Sequence, residues 1–123
     1  MNFEEKILLS HQSYELGKTA SGERYTLAGD LDAEGAARVL EAMEAQVLST
    51  DLTSLDLEDL ELLDGVAVAR MVDLTRLLLS ASGRVQVLKS PQSLAHTLYR
   101  VGMLEGDSRL ELIEPREEEG APN

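Results

Sequence analysis

The most constraining feature of this chain is the segment covering residues 55–80, LDLEDLELLDGVAVARMVDLTRLLLS. It begins with a short apolar run, passes through an acidic loop, and continues as a long apolar stretch with polar residues at three- or four-residue steps. This order is typical of a strand, a loop and a buried helix. Asp64 stands directly before the helical pattern, where its carboxylate can accept the free N–H groups of the first turn. We therefore predict a helix over residues 65–81 that is capped by Asp64 and buried on most sides.

The rest of the chain also alternates between strand-like and helix-like patterns. A turn-like Thr-Ala-Ser-Gly separates the first two strands and predicts a hairpin. The predicted elements, in chain order around the segment above, are strands at 13–18 and 23–28, a helix at 33–47, strands at 52–57 and 84–88, a helix from Ser90-Pro91 to Gly102, and a strand at 109–113.

Aspartate, serine, proline and glycine mark the ends of the predicted helices. Asp32 predicts the cap of the first helix. Gly83 suits a left-handed position after the second helix. Ser90 predicts a cap ahead of Pro91 at the first position of the third helix. Because helical crossovers favour parallel neighbouring strands, this order predicts an α/β domain with a mixed central sheet, an initial hairpin and about three to four packed helices.

Length and composition indicate one domain. The chain has 123 residues, of which 43% are hydrophobic, enough for a single core. Residues 13–114 form the predicted domain. Residues 1–12 are a predicted N-terminal extension, in which residues 7–9 suit either a short strand or a helical turn. Residues 115–123 combine an acidic run with Gly, Ala and Pro, and predict a disordered acidic tail.

The sequence also bears on where the protein works. Cysteine is absent, so disulfides and thiolate metal sites are excluded. The chain has no run of about 18 apolar residues, and its first residues carry the wrong charge for a signal peptide. We therefore expect a cytoplasmic protein without direct membrane insertion.

The formal net charge of −12 disfavours nucleic acids and anionic membranes as partners, because like charges repel. The acids are unevenly distributed, and no Lys or Arg occurs between residues 39 and 69. This acidic run favours a solvated face that keeps the protein soluble. The alternative is a surface that steers a basic protein partner. The acids in the run are Glu41, Glu44, Asp51, Asp56, Glu58, Asp59, Glu61 and Asp64.

No sequence motif indicates catalysis or a cofactor. His11 and His96 are far apart and lack metal-ligand spacing, and no phosphate-binding glycine loop or nucleophile elbow is present. The carboxylates between Asp56 and Asp64 suit weak Mg²⁺ binding, but a solvated loop with one capping aspartate is the favoured interpretation. We therefore expect neither an enzyme nor a cofactor.

Several short motifs resemble those of the STAS domain family, the anti-sigma-factor antagonists and their relatives in sulfate transporters and lipid-transport systems. Asp56-Leu57 resembles the family's strand end, and Asp64 its loop aspartate. The similarity runs to Gly83-Arg84-Val85-Gln86-Val87, and upstream Gly29-Asp30-Leu31-Asp32 resembles the Gly-Glu-Leu-Asp before the first helix. The resemblance covers about residues 13–114 and implies the family's α/β fold.

The resemblance also implies a docking point for a protein partner at the start of the 65–81 helix. At the position of the family's phosphate-accepting serine this chain has Gly65, followed by Val66, and neither has a hydroxyl. The phosphorylation switch is therefore not expected here. Small residues at this point also suit a loop that packs tightly against the sheet, which is the alternative explanation. The residues implied in docking are Asp64, Gly65, Val66, Ala67, Asp30 and Asp32.

Two functions remain open at this level. The first is a non-catalytic STAS-type interaction module, a bacterial signalling regulator of the anti-sigma-factor antagonist type without the usual serine, whose partner is an anti-sigma factor or a related kinase-like protein. The second is a small cytoplasmic subunit of a lipid or solute transport complex, bound to its ATPase subunit, or a domain that binds a nucleotide or a lipid. The sequence also leaves open a homodimer.

Overall fold

The computed structural model of the protein describes residues 5–19, 23–46, 49–106 and 108–116. The described part of the chain forms seven strands and three helices. Their bounds are β1 Glu5–Ser10, β2 Tyr14–Thr19, β3 Arg24–Leu31, α1 Ala33–Glu44, β4 Thr50–Asp56, β5 Leu60–Leu62, α2 Gly65–Ala81, β6 Ser82–Leu88, α3 Gln92–Arg100 and β7 Leu110–Ile113.

All the strands belong to one mixed sheet in the order β1-β2-β3-β4-β6-β7, with the short β5 paired to β3. Strands β1, β2 and β3 are antiparallel neighbours, whereas β3, β4, β6 and β7 run parallel. The three helical crossovers all move in one direction across the sheet. Crossovers of this kind are generally right-handed, which places helices on one face of the sheet, and the contacts of α2 with both α1 and α3 agree with that arrangement.

Strand β3 is long enough to pair with two different segments along one edge. Its first half, Arg24 to Thr26, is paired with β4, and its second half, Gly29 to Leu31, is paired with β5. The chain therefore leaves β3 after Asp56, loops outward and returns to the same strand before α2 begins. This detour brings the start of α2 beside the end of β3.

The core lies between the sheet and the helices, and α2 packs against both α1 and α3. It is mainly aliphatic, as the low aromatic content requires. None of the helices in the described ranges is long and apolar enough to cross a membrane. The fully buried large side chains are Leu16, Leu27, Leu31, Met43, Leu55, Leu57, Leu60, Met71, Leu74, Leu78, Leu94 and Leu98.

The predicted α/β class, mixed sheet and initial hairpin are confirmed. Helix α2 has the bounds that its pattern predicts. Helix α1 begins as predicted and ends at Glu44, whereas the predicted end at Val47 lies outside the described residues. Residues 7–9 adopt the strand alternative, within β1. Residues 20–22 of the predicted turn at 19–22, and residues 117–123 of the predicted tail at 115–123, lie outside the described residues. Residues 115–116 of that tail are described, and the N–H of Arg116 donates to the carbonyl of Ser90 at 3.0 Å.

Two predicted helix signals are wrong. Ser82 is extended after α2, and Gly83 continues β6 without a positive φ. Gly83 is needed for a different reason, because a Cβ there would lie 2.9 Å from the carbonyl oxygen of Asp51 on the neighbouring strand. Ser90 does not cap α3, because that helix begins one residue later and has Pro91 at the N-cap position. The hydroxyl of Ser90 donates instead to the carbonyl of Pro91 at 3.0 Å.

The predicted end of α3 at Gly102 is confirmed by its hydrogen bonds. Gly102 has a φ of +81°. Its N–H donates to the carbonyl of Tyr99 at 3.1 Å, and the next N–H, of Met103, donates to Leu98 at 3.0 Å. This pair of bonds is the Schellman arrangement, which satisfies carbonyl groups of the last turn.

Candidate partner-docking site

The candidate site lies where the carboxyl end of β3 meets the amino end of α2. In the β3–β5 register Asp30 lies opposite Glu61, and the N–H of Leu63 donates to the carbonyl of Leu31 at 2.9 Å. The backbone of residues 60–63 is therefore held along the end of β3. This pairing places the acidic loop next to the first turn of α1.

Asp64 links the amino ends of two helices. Its Oδ1 accepts a hydrogen bond from the N–H of Ala67 at 2.8 Å, which caps α2. Its Oδ2 accepts a hydrogen bond from the N–H of Ala33, in the first turn of α1, at 3.2 Å. Asp32 caps α1 separately through the N–H of Gly35 at 2.8 Å. Both aspartates lie at the positive ends of helix dipoles, where a negative charge is stabilising.

The surroundings of Asp64 are strongly negative. We call this set of exposed carboxylates the acidic edge: Asp30, Asp32, Glu58, Asp59, Glu61 and Asp64. Two basic residues, Lys89 and Arg116, lie near the acidic edge, and each is paired with a glutamate. Lys89 lies 2.7 Å from Glu114, and Arg116 lies 3.5 Å from Glu61. The edge therefore keeps a net negative charge.

Apolar side chains are exposed within this negative region. Leu63 is 59% exposed and Val66 is 50% exposed, on either side of Asp64 and Gly65. Gly65 is exposed as well, and a Cβ added to it would meet no atom within 4 Å. We call Leu63, Asp64, Gly65 and Val66 the docking surface. Its apolar residues and its open glycine allow another protein to approach the helix start closely.

The structure brings the six residues of the sequence prediction to this end of the sheet, in different environments. Asp64, Gly65 and Val66 lie on the surface, whereas Ala67 is fully buried beneath it and is not available for contact. Asp32 is exposed but engaged as a cap. The side chain of Asp30 is exposed, and its backbone N–H donates to the carbonyl of Ser13 at 2.8 Å.

Two residues near the site were not predicted from the sequence. Leu63 is one of them, because an exposed leucine cannot be distinguished from a core leucine in an apolar run. The other is Arg116, which donates to the backbone carbonyls of Leu57, Leu60 and Lys89. An arginine close to a glutamate run has no sequence signal for such contacts.

The other side chains that could bind a metal or accept a phosphate were also located in the structure, and their contacts are structural. His11 stacks on Tyr14 with 4.8 Å between ring centroids, and its Nδ1 accepts a hydrogen bond from the N–H of Ser13. Within the described ranges, no three acidic or histidine side chains come together as a metal site. Thr75 is buried in α2, and its hydroxyl donates to the carbonyl of Met71 at 2.9 Å.

No protein-family model matches this chain, and no curated protein matches it.

Proposed function

We propose that this protein is a non-catalytic interaction module of the STAS type, a bacterial cytoplasmic regulator related to the anti-sigma-factor antagonists. Its partner is an anti-sigma factor or a related kinase-like protein, which contacts the start of α2. The observation that carries the proposal is the exposed docking surface, where Leu63, Gly65 and Val66 lie open beside the capping Asp64.

The sequence motifs support this assignment from a second direction. The residues that resemble the family's loop aspartate and its first-helix motif, Asp64 and Asp32, are the two residues that cap α2 and α1. Both aspartates cap a helix at the same end of the sheet. This supports the view that the matching motifs have a common structural role. The fold class agrees with the proposal, although many functions share α/β folds.

The proposed regulator differs in its control from the phosphorylated members of the STAS family. Gly65 and Val66 occupy the place of the acceptor serine, and neither can form a phosphate ester. We propose that binding at this surface depends on the amount of partner and on the local charge, without phosphorylation of the helix start.

The deciding experiment uses Gly65→Arg, with Ser80→Arg at the exposed far end of the same helix as control. Surface changes away from special features usually alter stability by no more than about 0.5 kcal/mol. An arginine at a helix start also opposes the dipole, which adds at most about 1 kcal/mol. We therefore expect melting temperatures within a few degrees of the wild type for both variants.

The binding readout is affinity capture from extracts of the native host, followed by mass spectrometry. An anti-sigma factor or kinase-like protein should be retained by the wild type and by Ser80→Arg, and lost with Gly65→Arg. Retention of every partner by a well-folded Gly65→Arg protein would show that the helix start is not the interface. Recovery of a transport ATPase subunit would assign the protein to a transport complex instead.

A further inference from the structure

The segment after β7 is tied back across the end of the sheet. The guanidinium group of Arg116 donates through Nε to the carbonyl of Lys89 at 3.0 Å and through Nη2 to the carbonyl of Leu57 at 3.2 Å. The same Nη2 also donates to the carbonyl of Leu60, and the backbone N–H of Arg116 donates to Ser90 at 3.0 Å. One side chain therefore connects the end of β6 with the loop after β4.

Glu114 reinforces this connection at the ends of two paired strands. Leu88 and Ile113 are the last paired residues of β6 and β7, and the next residues, Lys89 and Glu114, both have positive φ, at 57° and 49°. Their side chains form an ion pair with 2.7 Å between Nζ and Oε1. Both strands thus turn at the same level, and residues 114–116 are held against the sheet end. We call residues 114–116 the strap.

The strap reaches the segment that leads into the docking surface. Residues 57–62 form the first part of the connection from β4 to α2 and contain β5, which is only three residues long. The turn at their start has one internal backbone bond, from the N–H of Leu60 to Leu57 at 3.1 Å. The segment is also held by the pairing of β5 with β3 and by the buried side chains of Leu57 and Leu60. The bonds from Arg116 add a further attachment at the carbonyls of the same two residues.

We propose that the strap is a positioning device that sets the location of residues 57–62, and with them the docking surface, so that releasing the strap lowers partner affinity. The significance of the docking surface rests on the proposed function, whereas the mechanical link between the strap and residues 57–62 does not. Coupling of this kind works in both directions, so a partner at the docking surface also stabilises the strap.

The backbone contacts of Arg116 carry this proposal, and its ion pair contributes less. The side chain of Arg116 is 27% exposed, whereas that of Glu61 is 69% exposed, so water screens their attraction. A guanidinium group donates several hydrogen bonds in a fixed planar arrangement, which suits the convergent carbonyls of Leu57, Leu60 and Lys89. Lysine offers the same charge without that geometry.

The test is amide hydrogen exchange on Arg116→Gln, with Arg84→Gln as the matched control. Arg84→Gln removes the same charge and an ion pair with Glu111 on the β6–β7 pair. We expect Arg116→Gln to speed exchange in residues 57–63 about tenfold, with little change in residues 71–78 of the α2 core. Arg84→Gln should leave residues 57–63 at the wild-type rate, and Arg116→Lys should show most of the increase.

Four outcomes would contradict the proposed positioning role of the strap. These are unchanged exchange in residues 57–63 of Arg116→Gln, an equal rise in the α2 core, an equal effect of Arg84→Gln, or wild-type rates in Arg116→Lys. Exchange needs no partner, so this result is independent of the Gly65→Arg test. With a partner in hand, Arg116→Gln should weaken binding about tenfold and Arg84→Gln less than twofold. If the two variants bound the partner with equal affinity, the strap would have no influence on docking.

Discussion

The Oδ2 of Asp64 accepts a hydrogen bond from the backbone N–H of Ala33 at 3.2 Å, although the two residues are 31 positions apart in the chain. The other oxygen of Asp64 caps its own helix at Ala67. One carboxylate therefore joins the first turns of α1 and α2, next to the exposed residues of the docking surface. The carboxylate of Asp64 thus accepts two backbone hydrogen bonds, one from each helix, whereas that of Asp32 accepts one, which caps α1.

This relationship predicts that Asp64→Ala is more destabilising than Asp32→Ala. Loss of a helix cap costs about 1 kcal/mol, and the second hydrogen bond adds roughly 0.5–1.5 kcal/mol. Urea unfolding should therefore show a larger loss of free energy of unfolding for Asp64→Ala. Amide exchange should also show that Ala33 loses protection in Asp64→Ala. Equal losses of stability, with Ala33 still protected, would contradict the bridging role.

The close approach of Gly83 to β4 predicts opposite effects at two glycines. A Cβ on Gly83 would lie 2.9 Å from the carbonyl oxygen of Asp51, so Gly83→Ala should cost roughly 1–3 kcal/mol through overpacking. Gly65→Ala places a Cβ in open space within a helix and should be neutral or stabilising by up to about 1 kcal/mol. Thermal and urea unfolding of both variants check this. If Gly83→Ala left the free energy of unfolding unchanged, β4 and β6 would be able to move apart at little cost.

The ion pair of the strap predicts how the pKa of Glu114 behaves. The hydrogen bond and charge of Lys89 lower the pKa of Glu114 from its usual 4.5, and those of Glu114 raise the pKa of Lys89 from 10.5. A lowered carboxyl pKa means that the pair's contribution is complete above pH 4.5 and is lost as the pH falls through the folded value. A raised lysine pKa means that the contribution is complete below pH 10.5 and is lost as the pH rises through the folded value.

The measurement is an NMR titration of the Glu114 side-chain carboxyl carbon. Its midpoint should lie below 4.5 in the wild type and rise towards the usual value in Lys89→Gln. Because the pair is exposed, the wild-type shift should shrink in 1 M salt. Identical midpoints in the two proteins would show that the ion pair is absent in solution.

The absence of hydroxyl groups at the helix start predicts that no phosphate is added there. Incubation with the cognate kinase and ATP, followed by peptide mass spectrometry, should show no phosphate between Leu63 and Val72. Thr75 is buried, and Ser80 lies at the far end of α2, so neither can substitute. Phosphorylation of another serine or threonine, with an effect on partner binding, would contradict the proposed unphosphorylated regulation.

The acidic edge predicts that salt slows partner association if it steers a basic surface. The Debye length falls from about 10 Å at 0.1 M salt to about 3 Å at 1 M, so the attraction between separated charges should nearly disappear. Stopped-flow association rates over this range provide the test. Rates that do not depend on salt would leave the acids as solvated surface and the docking surface unaffected.

The sequence by itself determined the parts of the structure that depend on neighbouring residues. Helix α2 has its predicted bounds because its periodicity and the cap at Asp64 are local features, and Gly102 ends α3 for the same reason. The hairpin and the alternation of strands and helices likewise follow from short patterns and turn residues. The location of the candidate site at the start of α2 also came from the sequence, through its motifs.

Only the tertiary structure decided which distant groups meet at that site. The register of β5 on β3 brings Asp64 within reach of Ala33, and the pairing of β6 with β7 brings Arg116 to the carbonyl of Leu57, 59 positions away. It also decided that Gly83 faces a neighbouring strand, that Ala67 is buried and that Leu63 is exposed. The physical reason is that hydrogen bonds and burial of this kind depend on which strands pair and in what register, and short sequence patterns do not encode the choice of a distant partner.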